Sequence, residues 1–419
     1  MERPHGSLPF DAARLADEFG TPCWLYRRSV IERRIAEVSC FDAVRFAQKA
    51  CSNLAVLAVA KKAGAVVDAV SAGEVVRALR VGFDPKAPVP GVVYTADILD
   101  DAALDLIGRH GVPVNVGSAD MLEQLAERGI RVPITVRVNP GFGHGHSSKV
   151  NTGGELSKHG VWHEQLPAVV ARGRELGFDM CGLHMHIGSG SDFEHLSQVC
   201  AAMERAAADF GPGLRTISAG GGLPVSYRKG AEATPRIDVA AYYGLWDASR
   251  RRIESLVGHP VSLEVEPGRY LVAESGYLVT SIRAVKKQGK NVFYLLDAGF
   301  TDLVRPSFYG AYHHITVHGR DGSDLPGSQP VIVAGPLCES GDVFTQEEGG
   351  FVTTRDLPPA RTGDLLVLHD AGAYGAAMSS NYNSRPLAAE VLEDGGVFKE
   401  IRRRQTLEEI FRLERIPEL

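Results

Sequence analysis

The 419-residue sequence lacks several features that would assign it to a specialised class of protein. No apolar run approaches the roughly 18 residues of a membrane helix, and the segment Met1 to Phe10 lacks the apolar stretch of a secretory signal. The net charge of −6 provides no basic field that would attract nucleic acid or an anionic membrane. These absences predict a cytoplasmic protein with neither a nucleic-acid nor a membrane partner.

Cysteine is scarce, and its positions are widely separated. The six cysteines are Cys23, Cys40, Cys51, Cys181, Cys200 and Cys338. No two of them have CxxC spacing, which argues against a zinc site and against a disulfide scaffold. We therefore expect reduced thiols and no bound metal.

The first two thirds of the chain alternate between short β-rich runs and helical stretches rich in Ala, Leu, Glu and Arg. This alternation predicts a parallel sheet with right-handed crossovers. About eight strands would close into a (β/α)₈ barrel, with a doubly wound open sheet as the alternative. The predicted strands are Val44–Ala47, Val66–Val70, Gly91–Thr95, Pro113–Val116, Pro133–Asn139, Met180–His186, Thr216–Ala219 and Ser262–Glu266.

After Gly268 the helical periodicity gives way to runs of Val, Ile, Tyr and Phe that are bounded by Gly and Pro. This texture predicts an antiparallel β domain. Its predicted strands are Tyr277–Val285, Asn291–Asp297, Pro330–Ala334, Asp364–His369 and Glu390–Glu393. The predicted division is a barrel over residues 28–267 and a β-rich domain made of residues 1–27 with 268–419.

Catalytic groups of such barrels lie at the C-terminal ends of the strands. Lys49, in F-A-Q-K-A, follows the first predicted strand, and we expect it to be partly buried, with a lowered pKa that makes it a usable amine. A plain surface lysine is the alternative. Asp68, Ser71 and Glu74 follow the second predicted strand in D-A-V-S-A-G-E, which reads equally well as a helix N-cap with a capping box.

Two later strand ends carry histidine and glycine. His184 and His186, in H-M-H-I-G-S-G, share one face of a strand, either as a functional pair or as core histidines. Ser189 follows in a turn suited to an anion. Gly222 ends S-A-G-G-G, where backbone N–H groups could approach a phosphate, although a plain loop has the same pattern.

The last predicted barrel strand ends in E-V-E-P-G-R-Y, which contains Glu266 and Arg269. A carboxylate beside a pyridine nitrogen keeps that nitrogen protonated and strengthens the ring as an electron sink. Without such a ring, the same segment is a turn with a surface ion pair. Residues 141–160 form a long glycine-rich segment that we interpret as an ordered functional loop, and its His144 and His146 lack a suitably spaced carboxylate for a metal.

A lysine, a phosphate cradle, a stacking histidine and a glutamate for a ring nitrogen are together what a pyridoxal-phosphate site on a barrel requires. Longer motifs carry a specific resemblance: F-A-Q-K-A-C-S-N, H-G-H-S-S-K-V-N-T-G-G-E-L-S-K-H-G, G-P-L-C-E-S-G-D-V-F and A-G-A-Y-G-A-A-M-S-S-N-Y-N-S-R-P. On these motifs the sequence resembles the fold-type III pyridoxal-phosphate enzymes, which pair an alanine-racemase-like barrel with a β domain. Among them it is most similar to the diaminopimelate decarboxylases of the enterobacterial branch.

The resemblance implies a role for each matching residue. Lys49 would carry pyridoxal 5'-phosphate as a Schiff base, His186 would stack on its ring, and Glu266 would pair with the ring nitrogen. The implied phosphate ligands are Ser189, Gly222, Gly268, Arg269 and Tyr374. The implied substrate ligands are Arg269, Arg305, Tyr309, Glu339 and Tyr374. Cys338 would be the proton donor and would arrive with Glu339 from the other subunit, so the active site would require a homodimer.

The implied reaction converts meso-2,6-diaminopimelate to L-lysine and CO₂. Two arginines suit a substrate whose far end is a carboxylate, since guanidinium pairs with it in a bidentate way. Three alternatives stay open. They are decarboxylation of another basic amino acid such as ornithine or arginine, racemisation on the same barrel, and a non-catalytic homologue that binds pyridoxal phosphate.

Overall fold

The computed structural model describes residues 8–143, 153–186, 192–228, 233 and 236–418. The chain forms two compact units. The barrel unit comprises residues 32–224 and 236–271, and the β unit comprises residues 1–31, 225–235 and 272–419. Within the described ranges, no helix is both long enough and apolar enough to cross a membrane.

The barrel unit is built from strands that alternate with helices along the chain. Its strands are β2 (Ala43–Ala47), β3 (Val66–Ala69), β4 (Val92–Thr95), β5 (Val114–Val116), β6 (Ile134–Asn139), β7 (Val161–Trp162), β8 (Met180–His184), β9 (Thr216–Ser218) and β10 (Ser262–Val265). Its helices are α3 (Leu54–Lys62), α4 (Ala72–Val81), α5 (Asp101–His110), α6 (Ala119–Glu127), α7 (Leu166–Glu175), α8 (Phe193–Phe210), α9 (Val239–Val257) and α10 (Arg269–Val272). Helix α2 (Arg28–Glu37) crosses from one unit into the other.

Eight of these strands close into a parallel barrel in the order β2, β3, β4, β5, β6, β8, β9, β10, and β10 pairs with β2. The decisive contact is the pairing of β5 with β6, which joins what would otherwise be two sheet edges. The short strand β7 pairs only with β6 among the described strands. The predicted barrel is therefore confirmed, and the open doubly wound alternative is wrong.

Capping residues start several helices of the barrel unit directly after the preceding strand. The side chain of Asn53 accepts a hydrogen bond from Ala55 N–H at the start of α3, and Asp100 does the same for Ala103 N–H in α5. Such caps satisfy N–H groups that have no partner within the helix. They fix where these two helices begin.

The barrel interior also contains a charged pair. Arg45 of β2 donates two hydrogen bonds to Glu264 of β10, at 2.5 and 2.7 Å, and both residues are buried. A bidentate contact of this kind compensates much of the cost of removing two charges from water. It also joins the first and last strands of the barrel.

The β unit contains one mixed sheet. Its strands are β1 (Cys23–Arg27), β11 (Gly276–Gln288), β12 (Asn291–Leu296), β13 (Ile315–His318), β14 (Gln329–Ala334), β15 (Arg355–Leu357), β16 (Leu365–Leu368), β17 (Ala389–Asp394) and β18 (Val397–Arg402). The helices of this unit are α1 (Ala12–Phe19), α11 (Arg305–Tyr309) and α12 (Leu407–Phe411).

The strand order is β15-β14-β12-β11-β1-β17-β18, and β16 pairs with β11 and β13. Most neighbours are antiparallel, as predicted, but β1 with β17 and β12 with β14 run parallel. The core of this sheet includes Leu25, Val279, Val367 and Val391, which are fully buried. The N-terminal strand is thus held by segments that are far away in sequence.

Candidate active site

Lys49 lies where the sequence predicted it, directly after β2, on a single 3₁₀ turn formed by Gln48–Ala50. Its side chain is exposed, so the expectation of a partly buried lysine is wrong. Gln48 and Ala50 on either side are completely buried, which anchors the turn while the lysine stays accessible. An accessible amine on an anchored backbone is suited to forming a bond with a ligand.

Glu266 follows β10 and is buried, and both oxygens of its carboxylate are hydrogen-bonded. Oε2 lies 2.8 Å from Nε2 of His184, and Oε1 accepts a hydrogen bond from the Ser218 hydroxyl at 2.9 Å. Burial alone would raise the pKa of Glu266, but the charge and hydrogen bond of His184 and the Ser218 hydroxyl outweigh it and lower the pKa. Glu266 is therefore ionised at neutral pH.

His186 presents a flat ring at the barrel mouth. Its ring lies parallel to that of His184 within 4°, with centroids 6.5 Å apart. The backbone N–H of Gly221 donates a hydrogen bond to His186 Nδ1 at 2.7 Å. Burial and the positive charge of Lys49 lower the pKa of His186 well below its ordinary value. The ring is thus neutral and has the orientation that its backbone partner imposes.

The glycines after β9 occupy positions where a side chain does not fit. A Cβ on Gly220 would lie 2.4 Å from the carbonyl oxygen of Met185, and one on Gly221 would lie 2.5 Å from that of Glu266. Gly222 has a φ of 97°, a conformation that favours glycine. The bare backbone at this strand end can approach an anion closely.

Asp97 and His159 link the loop after β6 to the end of β4. His159 Nδ1 and Asp97 Oδ2 form a short hydrogen bond. Burial would raise the pKa of Asp97, but this bond and the charge of His159 lower it. Asn139 accepts hydrogen bonds from Gly141 N–H at 3.1 Å and Gly154 N–H at 2.9 Å, and so joins the two ends of the loop. His144 and His146 lie outside the described residues.

In the β unit, Arg305 begins α11, and its side chain is buried. Its Nη1 donates a hydrogen bond to His313 Nε2 at 2.8 Å, and its guanidinium carbon lies 4.8 Å from the centre of the Tyr227 ring. Tyr309, at the other end of the same helix, is half-buried. Helix α11 then ends at Gly310, which has a left-handed conformation with a φ of 62°.

Cys338 and Glu339 are exposed on a loop that is fixed from within. The Asp342 carboxylate accepts hydrogen bonds from Leu337 N–H at 2.8 Å and Phe300 N–H at 2.7 Å. A Cβ on Gly335 would lie 2.2 Å from an Asp342 oxygen, so the loop can wrap the carboxylate only with glycine there. The loop thus has a defined backbone conformation although its tip is exposed.

The backbone near Cys338 is held by a second loop. Asn383, which has a φ of 54°, accepts a hydrogen bond from Cys338 N–H at 2.9 Å. Tyr374 has a φ of 57° and is half-buried. A residue other than glycine with a positive φ has a strained backbone, and the surrounding structure must compensate for that strain.

Comparison with known proteins gives consistent matches over nearly the whole chain. Residues 27–273 match the family described as "Pyridoxal-dependent decarboxylase, pyridoxal binding domain". Diaminopimelate decarboxylase of Escherichia coli K12 is 55% identical over 403 residues, which cover 96% of this chain and 95% of that protein. The chain belongs to the diaminopimelate decarboxylase family.

Other members of the family agree in sequence and in structure. Diaminopimelate decarboxylase of Streptomyces coelicolor is 50% identical over 413 residues, which cover 98% of this chain and 93% of that protein. A crystal structure of a diaminopimelate decarboxylase superposes with a TM-score of 0.93 at 53% identity, covering 98% of this chain and 99% of that one. The Helicobacter pylori diaminopimelate decarboxylase, solved in complex with L-lysine, has a TM-score of 0.81 at 29% identity, covering 96% of this chain and 98% of that one.

The barrel mouth of this diaminopimelate decarboxylase family member fits pyridoxal phosphate, the cofactor of the family. Lys49 offers an exposed amine, and Glu266 an ionised carboxylate. Gly220 and Gly221 leave bare backbone where a Cβ would collide with carbonyl oxygens. An amine, a carboxylate and a backbone anion cradle match the aldehyde, the ring nitrogen and the phosphate of the cofactor.

The structure brings together only some of the residues singled out in the sequence. The barrel unit contains Lys49, His186, Gly222, Glu266, Gly268 and Arg269. The β unit contains Arg305, Tyr309, Cys338, Glu339 and Tyr374. Ser189 lies outside the described residues. Gly268 is buried close to the backbone of β2, where a Cβ would lie 3.1 Å from Ala47 O, and Arg269 is half-buried at the start of α10.

Two charged groups of the barrel unit did not stand out in the sequence: Arg137 was missed, and Asp68 was given too little weight. Ser71 caps α4 by accepting a hydrogen bond from Glu74 N–H at 3.2 Å, as the capping interpretation of this segment predicted, and Asp68 is not the capping residue. Instead Asp68 is buried in β3, and burial, followed by the charge of Glu266, raises its pKa. Arg137 of β6 interacts electrostatically with the carboxylates of Asp68 and Glu266, and burial lowers the pKa of Arg137. The pairing of β3 with β2 places Asp68 beside Ala47, two residues before Lys49.

Proposed function

We propose that this protein decarboxylates meso-2,6-diaminopimelate at its D-centre to give L-lysine and CO₂, with pyridoxal phosphate bound at Lys49. The observation that carries the proposal is the 55% identity to a diaminopimelate decarboxylase over 96% of the chain. The accessible lysine and the ionised Glu266 at the barrel mouth support it.

The barrel unit would hold the cofactor and control its charge. Pyridoxal phosphate supplies an electron sink for the negative charge that remains when the α-carboxylate leaves as CO₂. Lys49 would hold it covalently, and Glu266, ionised through His184 and Ser218, would keep a proton on the ring nitrogen. His186 would pack its neutral ring against the cofactor ring.

Residues of the β unit would hold the substrate and complete the reaction. Arg305 and Tyr309 would bind the far carboxylate, together with Arg269 of the barrel unit, and Glu339 and Tyr374 would bind other polar groups of the amino acid. Arg305 suits this task because a guanidinium binds a carboxylate with two parallel hydrogen bonds. Cys338 would then donate its thiol proton to the carbon that has lost CO₂.

A substrate panel tests the reaction. Purified protein loaded with pyridoxal phosphate is offered meso-diaminopimelate, LL-diaminopimelate, ornithine, arginine and lysine, and release of CO₂ is measured. We expect kcat/KM for the meso compound to exceed that for ornithine, arginine and lysine by at least about 10³-fold, because a site built for a second carboxylate is left with unpaired donors by these three amino acids. The LL compound is the matched control, since it has both carboxylates but no D-centre. Preference for a substrate without the second carboxylate would refute the proposal.

We further propose that the active form is a homodimer in which Cys338 and Glu339 serve the site of the other subunit. Their exposure on a loop whose base is hydrogen-bonded to Asp342 supports this arrangement, because a loop tip held from within can reach a neighbouring molecule. The resemblance to the fold-type III decarboxylases points to the same arrangement.

Mixing two impaired variants tests the shared site. Lys49→Ala and Cys338→Ala proteins are unfolded together, refolded at equal amounts and assayed for CO₂ release. Random pairing makes half of the dimers hybrids, each with one intact site, so roughly a quarter of the wild-type activity is expected. Refolded single variants and refolded wild type are the controls. If each site used residues of one chain only, the mixture would equal the mean of the two variants.

A further inference from the structure

We propose that His313 is a positioning residue that fixes the guanidinium of Arg305 and thereby sets the affinity for the far carboxylate of the substrate. The inference rests on the role proposed above for Arg305. It concerns a residue that has no direct part in that proposed binding. All of its contacts described below lie within the β unit.

The hydrogen bonds of His313 define its protonation state. Arg305 Nη1 donates to His313 Nε2 at 2.8 Å, and since a guanidinium cannot accept a hydrogen bond, Nε2 carries no proton. The other ring nitrogen, Nδ1, donates to the carbonyl oxygen of His369 at 2.9 Å. His313 is therefore a neutral imidazole with its proton on Nδ1. Unlike a carboxylate, it orients the arginine without cancelling its charge.

The position of His313 is fixed by the sheet. Strands β13 and β16 pair antiparallel, and His369 N–H continues their ladder by donating to the carbonyl oxygen of His314 at 2.9 Å. The hydrogen bond from His313 Nδ1 to the carbonyl oxygen of the same His369 lies directly beside this backbone bond. His313 is only 2% exposed, so its ring is enclosed on all sides. Arg305 is thus attached to the sheet backbone through one rigid ring.

Tyr227 holds the same guanidinium from another side. Its ring centre lies 4.8 Å from the guanidinium carbon of Arg305, within the range of a cation–π contact. Tyr227 also contacts His313. The two rings meet at 75°, with centroids 5.4 Å apart. The guanidinium is therefore restrained by a hydrogen bond to His313 and by contact with the Tyr227 ring.

This arrangement has a consequence for binding. A free arginine side chain loses much rotamer freedom when it forms a bidentate contact, which weakens the net affinity. Here the side chain is already ordered by folding. Loss of the His313 contact should therefore weaken binding of the far carboxylate, while the rate of the reaction at the other end of the bound substrate should change little.

A matched pair of variants tests the inference. In His313→Asn the amide can still donate to the His369 carbonyl, but it is too short to accept a hydrogen bond from Arg305. In His313→Gln the carbonyl oxygen can reach the place of Nε2 and accept that bond. With holoenzyme and meso-diaminopimelate, we expect the Asn variant to raise KM about tenfold with kcat within about twofold, and the Gln variant to stay close to wild type. Cofactor content and melting temperature are compared for each protein.

Arg305→Met, alone and combined with His313→Asn, tests the substrate-binding role of Arg305 separately from the positioning role of His313. If Arg305→Met leaves KM unchanged, the proposed role of Arg305 fails. If Arg305→Met raises KM and His313→Asn raises it only when Arg305 is present, the positioning role is supported. The inference is overturned if His313→Asn has no effect, if its effect falls on kcat, if it adds in full to that of Arg305→Met, or if the Asn and Gln variants are equally impaired.

Discussion

Replacing Lys49 by alanine is expected to lower kcat for diaminopimelate on the order of 10⁴-fold. Lys49 is the exposed amine at the end of β2, and on our proposal it holds the cofactor covalently. The variant should also lose the visible absorption of the lysine-bound cofactor. Release of CO₂ and the absorption spectrum of the purified protein measure the two effects separately.

Lys62→Ala is the matched control, because Lys62 is another exposed lysine on the helix that follows β2. It should retain wild-type activity and spectrum. Mass spectrometry of the borohydride-reduced wild-type protein should find the cofactor on Lys49 and not on Lys62. A Lys49→Ala protein with more than about a tenth of the wild-type rate would contradict the assignment.

Replacing Glu266 by glutamine is expected to lower kcat on the order of 10³-fold while the protein stays folded and still binds pyridoxal phosphate. Burial tends to raise the pKa of Glu266, but His184 and Ser218 lower it, so the native group is a carboxylate. Glutamine has nearly the same shape but no charge, and its amide could not stabilise a protonated ring nitrogen. Assays at saturating cofactor separate this effect from weaker cofactor binding.

Ser218→Ala provides a graded comparison for the same site. It removes one neutral hydrogen bond, 2.9 Å long, from Oε1 of Glu266 but leaves the carboxylate and its contact with His184. We expect a loss in kcat of about tenfold, much smaller than that of Glu266→Gln. Equal effects of the two substitutions would show that packing around Glu266 matters and its charge does not.

The barrel could be predicted because its signals are local. Each strand and helix is marked by its own residues, and N-terminal caps such as Asn53 and Asp100 mark where the helices begin. Closure was predicted from the count of about eight strands, with an open sheet as the alternative, because the pairings that decide it, β5 with β6 and β10 with β2, are formed only in space. Strand β1 was missed for a similar reason: Cys23–Arg27 is short, and its partners β11 and β17 lie far along the chain.

The direction of the two parallel strand pairs in the β unit could not be predicted from the sequence pattern. Runs of Val, Ile and Tyr predict that β12 and β14 are strands, but side-chain alternation is the same for both strand directions. The predicted antiparallel domain was therefore correct for most neighbours and wrong for β12 with β14 and for β1 with β17.

Parts of the candidate site could be predicted because parallel strands bring their C-terminal ends to one mouth. Lys49 and Glu266 were found in this way. Asp68 was undervalued because its segment also reads as a helix N-cap with a capping box of Ser71 and Glu74, and nothing in R-V-N-P singled out Arg137. The contact of Arg305 with His313 depends on how α11 lies beside β13 and β16, which no spacing in the sequence indicates.

The glycine at position 335 defines how the Cys338 loop could be redesigned. Residues 336–341 lie between Gly335 and Asp342, and the Asp342 carboxylate, not the loop tip, determines the backbone conformation. A library that randomises 336, 339 and 340 to obtain activity on new amino acids should therefore keep many folded members. A library that also varies Gly335 or Asp342 should consist largely of misfolded protein, since any side chain at 335 meets the carboxylate. Directed evolution of this loop can change what the tip carries only while its base is left unchanged.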